Sequence, residues 1–367
     1  MSRIAPLDGI RGLAILLVLL WHYAANQIVT EPGTIGAYLL VPLRLSVSGV
    51  DLFFVLSGFL ITGILLDNKS AANLLRVFYV RRICRIFPLY FLLLGLFIGL
   101  AWTDTFAGQA YTWLFADPLP IWTYATFTQN IAMGMRGDLG PHWLGVTWSL
   151  AVEEQFYLFI PVLVFLLPRR YAFAVIAAAI LLAPVLRHVA PGLHAHINTP
   201  WRSDSLLSGA ALAFLVRWTP FSSAVQRRPE VLAMVLAVLI AGAALMTARP
   251  GVLGVFGYCW LGLLYTSIVL HAFSFSGSVL ARLLSVEWLV WFGQRSYAIY
   301  MFHEAASGLL HGFINQQSPR IASAADAALT LLALGVTLML AELSYRMIER
   351  PALRFGHRVK YRSETRY

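Results

Sequence analysis

The sequence predicts an all-α, polytopic integral membrane protein of about ten transmembrane helices with both termini in the cytoplasm, and three observations carry that expectation. Of 367 residues, 59% are hydrophobic and 12% charged, whereas soluble globular chains hold roughly 45–50% and 25%. The apolar residues fall in blocks of about 17–25, each long enough to cross a bilayer as a helix. Period-two alternation, the signature of a transmembrane β-barrel, does not occur. The net charge of +10 follows topology: with the N-terminus inside, twenty of the twenty-seven Lys and Arg residues lie at cytoplasmic ends or in the C-terminal segment. That is the positive-inside bias. It removes the nucleic-acid partner that a basic chain otherwise suggests.

The spans follow in order. Residues 10–28 form the first, with Arg3 ahead of it, and 47–66 the second, closed by Lys69. The run RVFYVRRICRIFPLYF then interleaves Arg76, Arg81, Arg82 and Arg85 with apolar residues. Such interleaving suits an amphipathic helix on the inner leaflet leading into the third span, 87–104. The longest connection, about 105–142, contains YTWLFADPLPIWTYATF. Its density of aromatic residues suits an interfacial or partly re-entrant segment on the outer side. Spans four and five, 143–167 and 172–189, are joined by the cytoplasmic pair Arg169 and Arg170. Spans six to ten cover 204–218, 231–247, 252–272, 288–310 and 326–347. Arg217, Arg227, Arg228 and Arg282 fall at inner ends, and Arg44, Arg136, Arg187, Arg202, Arg249 and Arg320 at outer ones. Residues 1–351 therefore read as one membrane domain and 352–367 as a basic cytoplasmic tail. Cys84 and Cys259, in a basic run and an apolar span, make no disulfide framework. The first apolar block carries Arg11 and His22 and no small-residue cleavage site, so it reads as a retained span rather than a signal peptide.

Ionisable groups at membrane depth are costly, and their default reading is functional. Arg11 and His22 lie eleven residues apart. At about 100° per residue they return to nearly one helical face, about 16 Å apart along the axis. A lone arginine there could be a snorkelling anchor. A neutral imidazole can act as general base, which an arginine cannot, so His22 is the expected base. Asp51, near the outer end of the second span, is its expected partner, fixing the tautomer; the bland alternative is an interfacial aspartate facing water. Ser57, Gly58 and Thr62 read as a packing strip. Arg82 and Arg85 share a face and can grip a phosphate bidentately, although contact with anionic lipid explains part of that run.

In HWLGVTWSLAVEEQFYLFIPVL, Ser149, Glu153 and Tyr157 repeat at i, i+4 and i+8, which flanks Glu153 with two hydroxyls. Glu153 is either catalytic or a helix tie. His142 lies just outside, where a water-soluble acceptor would meet it. Arg202 with Asp204, the group Ser296, Tyr297, Tyr300, His303 and Glu304, and the group Glu342, Tyr345 and Glu349 read first as interhelical hydrogen bonding. No Cys or Gly-x-Ser-x-Gly nucleophile is offered, and no metal is expected.

Taken in order, the Arg11-x10-His22 spacing, GVDLFFVLSGFLI, RRICRIFPLYF, TWSLAVEEQFYLF, RSDSLLSGAALAF and SYAIYMFH resemble the membrane acyltransferase 3 family, from residue 5 to about 351. The resemblance implies transfer of an acyl group, often acetyl, from cytoplasmic acyl-CoA to a hydroxyl of a glycan or other acceptor. It implies that Arg11 and His22 are critical and that Arg82 and Arg85 form a basic motif beside the donor. On that reading His22, Asp51 and Glu153 are the catalytic candidates, and Arg11, Arg82 and Arg85 hold acyl-CoA. Ser149, Tyr157, His142, Asp204 and His303 support substrate. The expected setting is a bacterial plasma or inner membrane, with the bilayer and a glycan as partners. Some relatives carry a fused extracytoplasmic esterase-like domain; this chain ends in a short basic tail, so any second transferase would be a separate polypeptide. A secondary transporter is the alternative, since it too has many spans and buried charge. The lack of inverted repeats and of paired interrupted helices counts against it, and a first outer loop offering only Glu31 counts against a glycosyltransferase.

Overall fold

The computed structural model describes residues 4–31, 34, 36, 38, 40–103, 111–247 and 254–362. Of the sequence expectations, Arg3, Arg249, residues 104–110, the start of the eighth span at 252–253 and the last five residues of the tail lie outside the described residues. Among the described residues, ten long helices overlap the stretches expected to be apolar spans: α1 Ala5–Leu20, α2 Gly49–Asp67, α3 Leu74–Ala101, α4 Trp148–Leu166, α5 Arg169–Val189, α6 Thr199–Leu215, α7 Pro229–Thr247, α8 Gly257–Ser274, α9 Glu287–Asn315 and α10 Ala324–Ser344. An isolated β-bridge pairs Ile28 with Ile321. Among the described residues, seven helical segments, those built on α1, α2, α3, α4, α5, α7 and α10, have the length and apolar content to cross a membrane. The protein is an all-α, multi-pass membrane protein. The other three long helices are where polar groups concentrate: Arg202 and Asp204 in α6, Tyr258 and His271 in α8, and Arg295, His303 and Glu304 in α9.

Local chemistry sets the helix ends. A proline in the first turn starts α1, where its missing N–H costs nothing. Ser323 and Asp326 form a reciprocal capping box at the start of α10. The basic run is not a separate interfacial helix as expected. It forms the first turns of α3, which continues through Pro88 to Ala101. At about 1.5 Å per residue α3 exceeds the roughly 30 Å hydrocarbon core, so its arginine-bearing turns can stand clear of it.

The chain forms two compact units: Met1–Trp21, Thr30–Asp67 and Val152–Ser296 make the first, and His22–Val29, Asn68–Ala151 and Tyr297–Tyr367 the second. In the first unit the backbones of α2 and α6 touch. A Cβ on Gly58 would lie 1.9 Å from the Leu206 carbonyl oxygen, and one on Gly209 1.9 Å from that of Val55. The small-residue strip thus packs, as such strips do between membrane helices.

In the second unit the end of α10 opens into a π turn, Tyr345–Glu349, followed by a short helix, α11, Arg350–His357. The chain beyond it lies on α3. Arg81 Nη2 donates to the Val359 carbonyl at 3.0 Å, its guanidinium stacks 5.0 Å over the Tyr361 ring, and Asn73 bonds the Lys360 carbonyl at 3.0 Å and the Arg362 N–H at 2.9 Å. The boundary expected at 351 therefore falls inside α11, and the described part of the tail is held against α3.

Candidate active site

The first helix does not end at Leu20: a π turn, Trp21–Ala25, continues it and carries His22. Widening the ladder to i→i+5 is costly, and single π turns concentrate at functional sites. Here the turn is secured by neighbours within the second unit. Gln27 Nε2 donates to the His22 carbonyl at 2.5 Å, and Gln27 Oε1 accepts from the Thr330 hydroxyl at 3.3 Å. The Tyr23 hydroxyl donates to the His303 carbonyl at 2.8 Å and lies 2.8 Å from the Thr337 hydroxyl. The bridge closes the stretch, with Val29 N–H to the Ile321 carbonyl at 3.1 Å and Ile321 N–H to the Gln27 carbonyl at 2.8 Å.

These ties bring three ionisable side chains together. His22 Nδ1 is hydrogen-bonded to the Glu304 carboxylate. The His303 ring stands edge-on to the His22 ring, centroids 4.8 Å apart. His303 Nδ1 lies 2.6 Å from the Tyr300 carbonyl oxygen. A carbonyl can only accept, so Nδ1 carries the hydrogen and Nε2 bears the lone pair. That Nε2 is buried, makes no hydrogen bond, and lies 4.0 Å from Glu304 Oε1. The same logic applies to His22, whose Nδ1–H faces a carboxylate and whose Nε2 remains as an acceptor. The side chain of His303 is 0% exposed, while those of Glu304 and His22 keep 13% and 24%. His22 thus keeps an access that His303 lacks. A buried acceptor imidazole, a second imidazole oriented by a carboxylate, and a π turn to aim it are the parts that general-base chemistry needs.

The ligand atoms of His22, His303 and Glu304 lie within 4.8 Å of one another. Two nitrogens and one oxygen could also hold a divalent transition metal.

A family model described as an acyltransferase domain matches residues 4–342. The chain belongs to this family. The acyltransferase is 31% identical over 374 residues to the peptidoglycan O-acetyltransferase OatA of Listeria monocytogenes, an alignment covering 96% of this chain and 56% of that protein. It is 26% identical over 376 residues to the O-acetyltransferase OatA of Staphylococcus aureus, covering 95% of this chain and 57% of the relative. The chain thus spans a little over half the length of these curated relatives. No solved structure matches it.

The acyltransferase places the other expected site residues as follows. Asp51 is held by partners within its own unit. Its Oδ1 accepts from Arg202 Nη2 at 2.8 Å and from the Ser205 hydroxyl at 2.8 Å, within the first unit. Asp204 is engaged by Arg187 at 2.7 Å and by the Cys259 thiol at 3.2 Å, and Arg202 stacks 3.7 Å from the centre of the Tyr258 ring. Arg187 and Arg202, expected at outer ends, are 3% and 2% exposed. Burial is tolerated because each guanidinium meets a carboxylate and an aromatic face, which offsets a desolvation cost of several kcal/mol per ion.

Arg11 belongs to the first unit and pairs with Asp8 one turn earlier at 2.8 Å. Glu153 and Tyr157 also belong to that unit; Glu153 is half-buried, and the Tyr157 hydroxyl lies 2.8 Å from that of Ser57. Ser149, in the second unit, lies 2.6 Å from the Tyr300 hydroxyl. Arg82 and Arg85 are half-buried on α3 beside Arg81. His142 is exposed, and its ring meets that of Trp113 edge-on.

Glu304, which the structure places against His22, is the residue that the sequence left among structural hydrogen bonders. Its signal was present: a carboxylate beside a histidine in the interior of a long helix has no bland solvent-facing alternative. Tyr23 and Gln27, which secure the π turn, carried no such signal.

Proposed function

We propose that this acyltransferase moves an acyl group, acetyl first among candidates, from cytoplasmic acyl-CoA to a hydroxyl of a cell-surface or lipid-linked glycan in a bacterial plasma membrane. The hydrogen bond between His22 and Glu304, with His303 beside it, is the observation that carries this reading. His22 Nε2 takes the proton of the acceptor hydroxyl, whose oxygen forms the new ester bond to the acyl carbon. The carbon–sulfur bond of the thioester breaks, and the CoA thiolate leaves and recovers a proton. Glu304 holds the tautomer and stabilises the imidazolium. Arg82 and Arg85 suit the phosphates of the donor, being paired on one face of α3 and never deprotonated. The names of the relatives favour peptidoglycan as the acceptor.

Proteoliposomes supplied with labelled acetyl-CoA and a soluble oligosaccharide test the reading. His22→Ala should abolish transfer while the folded yield holds, and retained transfer would remove His22 from the mechanism. Transfer by the purified chain alone would also remove any need for a separate extracytoplasmic transferase. The convergence of His22, His303 and Glu304 supports a second reading, a metal-held site. Sensitivity to chelators separates the two.

A further inference from the structure

The described part of the connection between α3 and α4 folds into four short helices, Thr112–Phe115, Ile121–Ala125, Gln129–Arg136 and His142–Gly145, all in the second unit. They enclose a cleft of about 490 Å³ lined chiefly by Trp113, Asp117, Arg136, Asp138 and His142. Small-molecule sites usually occupy about 300–1,000 Å³. The walls are held in place. Arg136 Nη1 donates to the Asp117 carbonyl at 2.8 Å and Nη2 to Asp138 Oδ1 at 2.5 Å, and that oxygen also accepts the Gly140 N–H at 2.7 Å. Asp117 sits at φ 49°, in the left-handed region, where its carbonyl is held by the guanidinium. Asp138 is kept below the usual carboxylate range, chiefly by its bond from Arg136. The His142 ring meets Trp113 edge-on, centroids 5.2 Å apart.

The lining selects a class of ligand. One wall is an indole and the other carries carboxylates. An acyl chain or lipid would leave those charges desolvated without partners. A phosphate or a uronic acid would meet two carboxylates against one guanidinium that is already committed to the Asp138 carboxylate and the Asp117 carbonyl. A neutral or amino sugar satisfies both walls: its C–H face lies on the indole, and its hydroxyls donate charge-assisted bonds to carboxylate. Trp113, on the cleft wall, packs on α9 one turn beyond Glu304: a Cβ on Gly308 would lie 2.7 Å from the indole. A ring held here therefore lies against the helix that carries Glu304.

We propose that this cleft is the acceptor subsite and takes one or two rings of a neutral or amino sugar, with Trp113 as the stacking platform and Asp117 as hydroxyl acceptor. The proposal rests on the acyl-transfer reading above. Its test measures binding by saturation-transfer NMR and titration calorimetry on the full chain in nanodiscs, with cellobiose, chitobiose and glucuronic acid as probes. At least one neutral disaccharide should bind, and glucuronic acid should bind more weakly. Trp113→Ala should weaken the disaccharide about tenfold, as expected when an aromatic platform of this size is lost. Trp113→Phe should restore most of that loss. Asp117→Asn, at an exposed position, guards against misfolding and should also weaken binding. Trp102→Ala, an exposed aromatic outside the cleft, should leave it unchanged. Wild-type affinity in both Trp113→Ala and Asp117→Asn, stronger binding of glucuronic acid, or no binding of either disaccharide overturns the proposal. Its failure is separable from that of the enzyme reading. Consumption of acetyl-CoA that depends on His22, without sugar binding, removes only the cleft; sugar binding without such consumption removes only the chemistry.

Discussion

Replacing Glu304 with Gln tests the proposed mechanism at its narrowest point. The substitution keeps the size of a largely buried side chain but removes its charge. In the ground state His22 donates a hydrogen bond to a carboxylate; when it takes the proton, that bond becomes an ion pair. Hydrogen bonds to charged groups contribute about 1.5–3 kcal/mol. At about 1.36 kcal/mol per decade, losing this one lowers kcat about 10- to 150-fold. The KM for acyl-CoA should stay near the wild-type value, because Glu304 faces His22 and His303 and not the basic turns of α3. His22→Ala removes the base itself and should cost about 10²–10⁴-fold. The double variant should be no slower than His22→Ala, since residues that act as a unit are strongly non-additive. Initial rates of labelled acetyl transfer, normalised to monodisperse protein from fluorescence-detected chromatography, give all three numbers. A Glu304→Gln rate within twofold of wild type would refute the role given to the carboxylate. So would a further tenfold loss when it is added to His22→Ala.

Other expectations follow from the same structure. Asp51→Ala should lower the unfolding free energy by about 3–5 kcal/mol, because it strands the Arg202 guanidinium, whereas Asp51→Leu with Arg202→Met should recover most of it. Thermal unfolding in detergent decides, and full stability of the single variant would contradict the pairing. Gly209→Val should cut folded yield sharply, since even a Cβ there lies 1.9 Å from the Val55 carbonyl oxygen; unchanged chromatographic yield would show that α2 and α6 can separate at little cost. Dipicolinate should leave acetyl transfer intact, and loss of activity restored by zinc would transfer the cluster to a metal role. Asp138 has a depressed pKa, so its link to the rim persists as pH falls past the ordinary aspartate midpoint of about 3.9 and is lost only through its own lower value. In Arg136→Met that link should break near the ordinary midpoint, read from the ¹³C shift of the Asp138 carboxyl.

The helices were legible because a bilayer demands uninterrupted apolar length, and hydropathy records length directly. It does not record azimuth, on which the candidate site depends. The π turn at Trp21–Ala25 that carries His22 leaves no mark in hydropathy. Asp51 and Glu304 are both carboxylates within apolar helices, and nothing in either local sequence says which helix lies beside His22. Asp51 is engaged by Arg202, whose own segment reads as an outer end until its carboxylate partners are seen. The run from Arg76 to Arg85 looked like an interfacial helix because its charge pattern is amphipathic. With no break ahead of Pro88, nothing stops it from merging with the span that follows. The outer connection showed its aromatic richness but not its cleft, because Trp113, Arg136 and His142 meet only after four short helices have turned back on one another.

The π turn bearing His22 also makes the chain sensitive to length in a way that composition conceals. A π turn holds one residue more than the α-helical path it replaces. Deleting any one of Trp21, Tyr23, Ala24 or Ala25 would let the ladder relax to α. The helix would stay as apolar and cross the same thickness, and its hydropathy trace would hardly change. Yet the side chains within the turn, His22 among them, would be re-aimed, because the wider turn gives them their present directions. An apparently silent deletion would thus turn the imidazole away from Glu304. What must be inherited intact along this helix is a count of residues, with their identities largely free to drift.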